Sequence, residues 1–174
     1  FIITKHNDEP FYRGFAHGFL GRWIAKRSKA VIAISDAVKD YVCRKPLYFP
    51  KEKVTRIHYG IDTNAFLKTN TTNRLKLRRR WQADEDCYVI GTVARFVPQK
   101  ALHVLLQAFA DLLYEEQLEY RGDLRLVIVG QGPLEKELKA LSKQLKIEKH
   151  VHWAGFYEDI PAVMRAFDAF ALTS

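Results

Sequence analysis

Two basic side chains flank a proline in a short turn, and their positive charges would favour a bound anion. Arg95 and Lys100 lie on either side of Pro98, between an apolar run at residues 88–94 and a second apolar segment at 102–113. If the second segment is a helix, Lys100 falls in its first turn, where a cation is unfavourable by about 0.3 to 1 kcal/mol. Backbone N–H groups at that end of a helix bind phosphate. Arg95 and Lys100 are therefore candidate phosphate ligands, although two solvated loop cations would have the same sequence.

The segments on both sides of this turn have the patterns of a strand and a helix. Residues 88–94 read YVIGTVA, a short apolar run typical of a strand that is buried on both faces. Between residues 102 and 113, leucine and phenylalanine recur every three or four positions, which predicts a helix with one apolar face against the sheet. The turn would then join the carboxyl end of the strand to the amino end of the helix.

The same alternation of strand and helix extends over the rest of the chain. We predict further strands at residues 1–4, 30–34, 54–57, 124–129, 151–154 and 170–172. We predict helices at 36–42, at 134–145 and after Asp159, and Ser35 and Asp159 have the side chains of amino-terminal caps. Alternating strands and helices give an α/β fold of parallel sheets with right-handed crossovers.

The turns that follow the predicted strands should meet at one edge of a sheet, which is where open parallel sheets bind ligands. These turns are residues 95–100, 130–132, 155–157 and 173–174. Gly130 and Gly132, in the sequence GQGP, could let the backbone approach a phosphate or a sugar, or could form only a structural turn. They are not a dinucleotide-binding fingerprint, because the third glycine is missing.

The composition indicates an anionic partner but does not identify its chemical class. The formal charge is +8 and the pI is near 9.5, values that suit nucleotide phosphates, anionic lipid or nucleic acid. The run RLKLRRR at 74–80 predicts a solvated basic helix face, or a contact with an anionic membrane worth about 1 kcal/mol per basic residue. No apolar run approaches the roughly 20 residues that a spanning helix needs.

The remaining chemically interesting side chains form no recognisable catalytic or metal-ligand pattern. His6 follows the first predicted strand, and it is either a polar residue at a strand end or part of a site at that edge. The spacing of His58, His103, His150 and His152 fits neither a metal site nor a catalytic triad. Cys43 and Cys87 are predicted to be free thiols of a reducing compartment. No P-loop or RNA-binding platform is present in the sequence.

Both ends of the chain have the patterns of strands. The chain begins with FIITK and ends with AFALTS. Because domain boundaries normally fall in exposed linkers, we expect the chain to be part of a longer protein.

Five blocks of the sequence, in order and spacing, resemble the group-one retaining glycosyltransferases, the family-four transferases of the GT-B fold. The blocks are AVIAISDAVKDYV, KVTRIHYGIDTNAF, IGTVARFVPQKALHVLLQAFADLL, LVIVGQGPLEKEL and VHWAGFYEDIPAVMRAFDAFALTS. The resemblance implies two Rossmann-like domains. Residues 1–62 would be the end of the acceptor-side domain, and residues 63–174 would be the first half of the domain that binds the nucleotide-sugar donor.

The resemblance also assigns roles to individual residues. It implies that Arg95 and Lys100 bind the donor diphosphate, and that Gly130, Gly132 and Phe156 lie in loops near the nucleotide. His6 matches a histidine near the transferred sugar. The family usually has glycine after its lysine, whereas this chain has Ala101, a departure that affects the expected shape of the loop and not its charge.

The activity implied by the resemblance is transfer of a hexose from a UDP-, GDP- or ADP-sugar to a hydroxyl, with retained anomeric configuration. Neither a cofactor nor an obligatory metal is expected, and the acceptor would be a glycan or a lipid-linked glycan. We expect a cytoplasmic protein that can contact an anionic membrane, with no nucleic acid partner. The family's pair of glutamates would follow ALTS, and its amino-terminal glycine-rich loop is absent, so residues 1–174 alone should be inactive.

Two other functions are compatible with the sequence. A non-catalytic nucleotide-sugar-binding or scaffold module could have the same fold, since a fold does not determine a function. A basic nucleic-acid-binding domain is a third interpretation, and it depends on the charge alone.

Overall fold

The computed structural model describes residues 1–6, 23–44, 49–67, 71–115 and 123–174. These residues form two compact units, Phe1–Ile61 and Asp62–Ser174. Each unit is built on a parallel sheet, which confirms the predicted α/β class.

The first unit contains three parallel strands in the order β1-β2-β3 among the residues described. They are β1 (Ile2–Lys5), β2 (Ala30–Ala33) and β3 (Val54–Arg56), and a 3-10 turn at Lys51–Lys53 precedes β3. Helix α1 (Asp36–Cys43) follows β2. The Ser35 hydroxyl accepts a hydrogen bond from the Val38 N–H at 3.2 Å, as predicted for a cap residue.

The second unit contains four described parallel strands in the order β6-β5-β4-β7. They are β4 (Tyr88–Val93), β5 (Leu124–Val129), β6 (Val151–Gly155) and β7 (Ala169–Phe170). The last strand was predicted at 170–172, and the structure corrects it to Ala169–Phe170. Its pairing with β4 is short: Ala169 and Phe170 pair with Ile90 and Gly91, and the flanking N–H groups of Asp168 and Ala171 donate to β4 carbonyls.

Helices connect these strands and cover the sheet. They are α2 (Asn64–Leu67), α3 (Thr71–Arg80), α4 (Leu102–Leu113), α5 (Glu135–Gln144) and α6 (Ile160–Ala166). The Asp159 carboxylate accepts from the Ala162 N–H at 2.9 Å, which confirms its predicted role as the cap of α6. None of the helices in the described ranges is both long and apolar enough to cross a bilayer.

The central strand β5 is buried on both faces because two apolar layers pack against it. Leu126 and Ile128 face the cluster that includes Leu106 and Phe109 of α4. Val127 and Val129 face the opposite cluster, which contains Trp81, Val89, Val163 and Ala166. Neighbouring residues of a strand point to opposite faces, so a continuous apolar run is what this position requires.

The basic run of α3 is only partly solvated, so the prediction of a solvated face is wrong for two of its residues. Arg78 is 2% exposed, and its Nη1 donates to Asp168 Oδ2 at 2.7 Å. Arg74 Nη2 donates to Asp168 Oδ1 at 2.6 Å. The other basic residues of the helix, Lys76, Arg79 and Arg80, are exposed.

Three described groups donate hydrogen bonds to the Asp168 carboxylate and favour its ionised form. Besides Arg74 and Arg78, the Val89 N–H donates to its carboxylate at 2.7 Å. Burial opposes ionisation, but the hydrogen bonds from Arg78 and Val89 and the charges of both arginines outweigh it and hold the pKa of Asp168 below its ordinary value. This network joins α3 to the amino end of the β4–β7 pairing, although Arg74 and Asp168 are 94 positions apart in the sequence.

Candidate functional site

A cavity of 540 Å³ lies at the carboxyl ends of β4, β5 and β6 in the second unit. The residues that line it come from the last positions of β4 and β5, from the turns after the three strands and from the start of α6: Val93, Ala94, Arg95, Lys100, Val129, Gly130, Gln131, Phe156, Tyr157 and Ile160. Three of the turns that were predicted to meet at one edge of the sheet therefore do so, and Lys100 lies in the first of them.

The fourth predicted turn also contacts this edge. Thr173 Oγ1 lies 3.0 Å from the carbonyl oxygen of Lys100, and Ser174 Oγ lies 3.3 Å from Lys100 Nζ. The loops are joined to one another as well, since the Gly130 N–H donates to the Gly155 carbonyl at 2.7 Å and the Phe96 N–H donates to the Gln131 carbonyl at 3.2 Å. The edge is thus a connected set of loops rather than separate turns.

Lys100 precedes helix α4 instead of lying in its first turn. Pro98–Lys100 form a 3-10 turn, and Ala101, with φ 45° and ψ 37°, separates this turn from Leu102. The prediction that Lys100 belongs to the first turn of the helix is therefore corrected. The left-handed conformation of Ala101 redirects the chain between the two helical segments.

Among the residues that the structure describes, no acidic side chain neutralises the positive charges of Arg95 and Lys100. Throughout the described part of the chain, no Asp or Glu forms an ion pair with either of them. Arg95 is exposed, and the ammonium of Lys100 has the neutral Ser174 hydroxyl as its partner. Two cations that line one cavity and have no acidic partner in the described part of the chain are suited to an anionic ligand.

The two glycines of the GQGP segment allow two loops to pack closely. A Cβ atom at Gly130, whose φ is +129°, would lie 2.0 Å from the Ala94 carbonyl oxygen. A Cβ atom at Gly132 would lie 2.7 Å from the backbone nitrogen and oxygen of Phe96. The backbone at both glycines therefore lies close to the loop that contains Ala94 and Phe96. Of the two glycines, only Gly130 lines the cavity. A role of these glycines in binding a donor stays a prediction.

Two adjacent aromatic side chains also line the cavity and add apolar rings to the positive charges of Arg95 and Lys100. Phe156 is 69% exposed. Tyr157 is half-buried, and its hydroxyl accepts from Trp81 Nε1 at 3.3 Å. An exposed aromatic face can stack on a flat ring of a ligand. Tyr157 was not singled out from the sequence as a site residue, and its position directly after Phe156 was the available signal.

His6 belongs to the first unit and lies directly after β1. Its ring stacks on that of Tyr59, with a centroid distance of 5.7 Å and an interplanar angle of 21°. The role of His6 near a transferred sugar stays a prediction.

Two other histidines lie at the amino end of β6, away from the cavity edge. His150 Nδ1 is 3.6 Å from Asp123 Oδ1, and His152 is the second residue of the strand. Burial lowers the pKa of His152, and the nearby charge of Arg125 lowers it further. The described residues include no group of three or more His, Cys, Asp or Glu side chains that could hold a metal ion.

Comparison with known protein families gives two matches that together cover most of the chain. The family model described as Glycosyl transferases group 1 matches residues 73–174. The model described as Glycosyltransferase Family 4 matches residues 1–65.

The chain is also similar to individual glycosyltransferases. It is 29% identical over 151 residues to the UDP-Gal:alpha-D-GlcNAc-diphosphoundecaprenol alpha-1,3-galactosyltransferase of Escherichia coli, a match that covers 86% of this chain and 38% of that protein. The structure of Anabaena HepE in complex with UDP and glucose is 27% identical, with a TM-score of 0.79, and the match covers 99% of this chain and 46% of that one.

A third comparison concerns the fold alone. The glycosyltransferase WaaG, which is involved in lipopolysaccharide biosynthesis, is 19% identical and has a TM-score of 0.68, over 82% of this chain and 37% of that chain. The structural neighbours are GT-B glycosyltransferases, which confirms the predicted fold class. In each of these comparisons the chain spans less than half of the related protein. The chain belongs to the family of group 1 glycosyl transferases.

Proposed function

We propose that the protein is a retaining glycosyltransferase that moves a hexose from a nucleoside-diphosphate sugar to a hydroxyl group of a glycan or a lipid-linked acceptor. The observation that supports this most is the placement of Arg95 and Lys100, free of acidic partners in the described chain, on one cavity at the carboxyl edge of the sheet. Membership of the group 1 family supports the transferase activity. HepE, which was solved with UDP and glucose, supports a nucleoside-diphosphate donor.

The charge on these two residues is suited to the chemistry of the leaving group. When the bond between the sugar and the diphosphate breaks, negative charge develops on the departing diphosphate, and cations that are already in place stabilise it. At a separation of 4 Å and an effective dielectric constant of 20, one such pair interacts by about 4 kcal/mol. We propose that Arg95 and Lys100 supply this stabilisation without an obligatory metal or another cofactor.

The rest of the cavity has side chains suited to the nucleoside. We propose that the exposed ring of Phe156 and the adjacent Tyr157 contact the base, while the loop at Gly130 and Gln131 contacts the ribose or the phosphates. Gly132 would help to shape this loop through its contact with Phe96. His6 is proposed, from the family resemblance, to act near the transferred sugar.

The proposal also includes a lipid-linked acceptor and a location at a membrane surface. The related galactosyltransferase of E. coli has a diphosphoundecaprenol acceptor in its name, which supports a lipid-linked acceptor at a membrane surface. We propose that the protein works at the cytoplasmic face of the membrane, and that the exposed Lys76, Arg79 and Arg80 of α3 contribute to contact with anionic lipid.

A thermal-shift panel of UDP, GDP and ADP tests the donor site directly. A ligand that binds the folded state raises its apparent stability, so at least one of the three should raise the melting temperature. Arg95→Met and Lys100→Met should weaken that nucleotide by about tenfold or more and should lower turnover by roughly one to three powers of ten. Lys136→Met is the control, because Lys136 is an exposed lysine of α5 that does not line the cavity.

Each outcome of this experiment has a definite meaning. If no nucleotide shifts the melting temperature, or if both cavity variants behave like Lys136→Met, the proposed donor site is wrong. If a nucleotide binds but the protein transfers no sugar to any hydroxyl acceptor, the protein is a nucleotide-sugar-binding module of the same fold. Full activity in the presence of EDTA is expected, and its loss would contradict the metal-independent mechanism.

A further inference from the structure

Thr173 and Ser174, which lie shortly after strand β7, contact Lys100 at its backbone and at its side chain. Thr173 Oγ1 lies 3.0 Å from the Lys100 carbonyl oxygen and 3.3 Å from the Ala101 carbonyl oxygen. Ser174 Oγ lies 3.3 Å from Lys100 Nζ. A threonine hydroxyl has a single proton, so Thr173 shares that proton between two successive carbonyl groups.

The backbone at the junction between Lys100 and α4 includes an unfavourable conformation. Ala101 has φ 45° and ψ 37°, a left-handed conformation that is unfavourable for a residue with a Cβ atom. Among the described residues, no side chain caps the amino end of α4 or that of the Pro98–Lys100 turn. The half-buried Thr173 hydroxyl donates a hydrogen bond to the backbone of this junction, and this bond can stabilise the left-handed conformation of Ala101.

We propose that Thr173 is a positioning residue for the donor diphosphate, acting through Lys100, a role that rests on the proposed function of the cavity. By holding the carbonyls of Lys100 and Ala101, its hydroxyl fixes the point from which the lysine side chain reaches the cavity. The Ser174 hydroxyl is a neutral partner for the ammonium when no diphosphate is bound, so the cation is held at the site without being neutralised. The ligand class is a nucleoside diphosphate, and the affected part of it is the diphosphate and not the base.

Thr173→Val tests this role because valine has nearly the shape of threonine and lacks the hydroxyl. The probes are whichever of UDP, GDP and ADP stabilises the wild-type protein most, and the nucleoside contained in it. We expect Thr173→Val to weaken the diphosphate about tenfold, equivalent to about 1.4 kcal/mol, and to change nucleoside affinity less than twofold. Thr173→Ser keeps the hydroxyl and should bind the diphosphate within about threefold of wild type. Thr55→Val, at an exposed threonine of β3, is the matched control and should have no effect.

A double-mutant cycle shows whether Thr173 acts through Lys100. In a Lys100→Met background the ammonium is absent, so Thr173→Val should weaken the diphosphate by less than twofold. Thr173→Ala takes the place of the valine variant if circular dichroism shows that valine disturbs folding.

Three results would overturn the inference while leaving the proposed function intact. They are unchanged diphosphate affinity in Thr173→Val, equal weakening of the diphosphate and the nucleoside, and a full tenfold effect in the Lys100→Met background. The proposed function itself fails separately, when the wild-type protein binds none of the three nucleoside diphosphates.

Discussion

Asp168→Asn should destabilise the second unit strongly, because the carboxylate neutralises an arginine that is almost completely buried. Arg78 is 2% exposed, and besides Asp168 it donates to the carbonyls of Asp84, Cys87 and Ala166. These carbonyls satisfy hydrogen bonds but carry no net charge. Asparagine at position 168 would therefore leave a buried cation without its counter-ion.

The expected loss can be estimated from the exposure of the groups. Breaking a buried ion pair by removing one partner costs about 3 to 5 kcal/mol. The side chains of Asp168 and Arg74 are 22% and 36% exposed, so water can partly replace the lost interaction. We therefore expect the free energy of unfolding of the second unit to fall by about 3 kcal/mol, at the lower end of that range.

Urea unfolding followed by tryptophan fluorescence measures this loss, because the indole of Trp81 is fully buried in the second unit. Glu135→Gln is the control in the same unit. Glu135 and Lys139 form an exposed pair on α5 at 2.7 Å, which should contribute only about 0.3 to 0.5 kcal/mol. Equal losses of stability in Asp168→Asn and Glu135→Gln would refute the reasoning from burial.

The same carboxylate gives the stability a dependence on pH. The pKa of Asp168 in the folded protein lies below its ordinary value of 3.8, so the folded state binds fewer protons there than the unfolded state. Its contribution is fully present above that value and is lost as the pH falls through the lower pKa of the folded protein. The difference in stability between the wild type and Asp168→Asn should therefore shrink on acidification below pH 3.8, and a constant difference would contradict the assignment.

Three further predictions concern other positions and use the same unfolding assay. Gly130→Ala should cost about 3 kcal/mol, because φ is +129° and the new Cβ would lie 2.0 Å from the Ala94 carbonyl oxygen; a loss below 1 kcal/mol would contradict this account. Ala101→Gly should raise stability by about 0.5 kcal/mol, since relief of the left-handed strain exceeds the added entropy of the unfolded chain. His152 has a pKa below 6.5 in the folded protein, so its contribution to stability decreases as the pH falls through 6.5. His152→Gln should therefore lose less stability than the wild type between pH 7 and pH 5, and an unchanged pH profile would be the opposite result.

Features that depend on local chemistry could be predicted from the sequence. Ser35 and Asp159 cap α1 and α6 because each has an acceptor side chain directly before a helix. The strand at 88–93 and the loops at the cavity edge follow from an apolar run and from the rule that parallel strands bind ligands at their carboxyl ends. The position of Arg95 and Lys100 on one cavity belongs to this group.

Features that depend on distant partners could not be predicted in this way. The basic run of α3 gives no sign that Arg74 and Arg78 turn inward, because their partner Asp168 lies 90 or more positions away. The glycines of GQGP could be interpreted from the sequence as a ligand contact or as a structural turn, and the neighbour that requires glycine at Gly130 is the distant Ala94 carbonyl. Strand β7 is two residues long because its pairing is set by β4, and its own apolar run extends further than the pairing.

The binding of a donor diphosphate by Arg95 and Lys100 can be observed in a crystal structure of the protein with UDP. GDP or ADP takes the place of UDP if the thermal-shift panel favours one of them. If Arg95 and Lys100 bind the donor diphosphate, its phosphate oxygens should lie within about 2.7 to 3.2 Å of their side-chain nitrogens. A diphosphate bound elsewhere on the protein, in contact with neither side chain, would contradict this expectation.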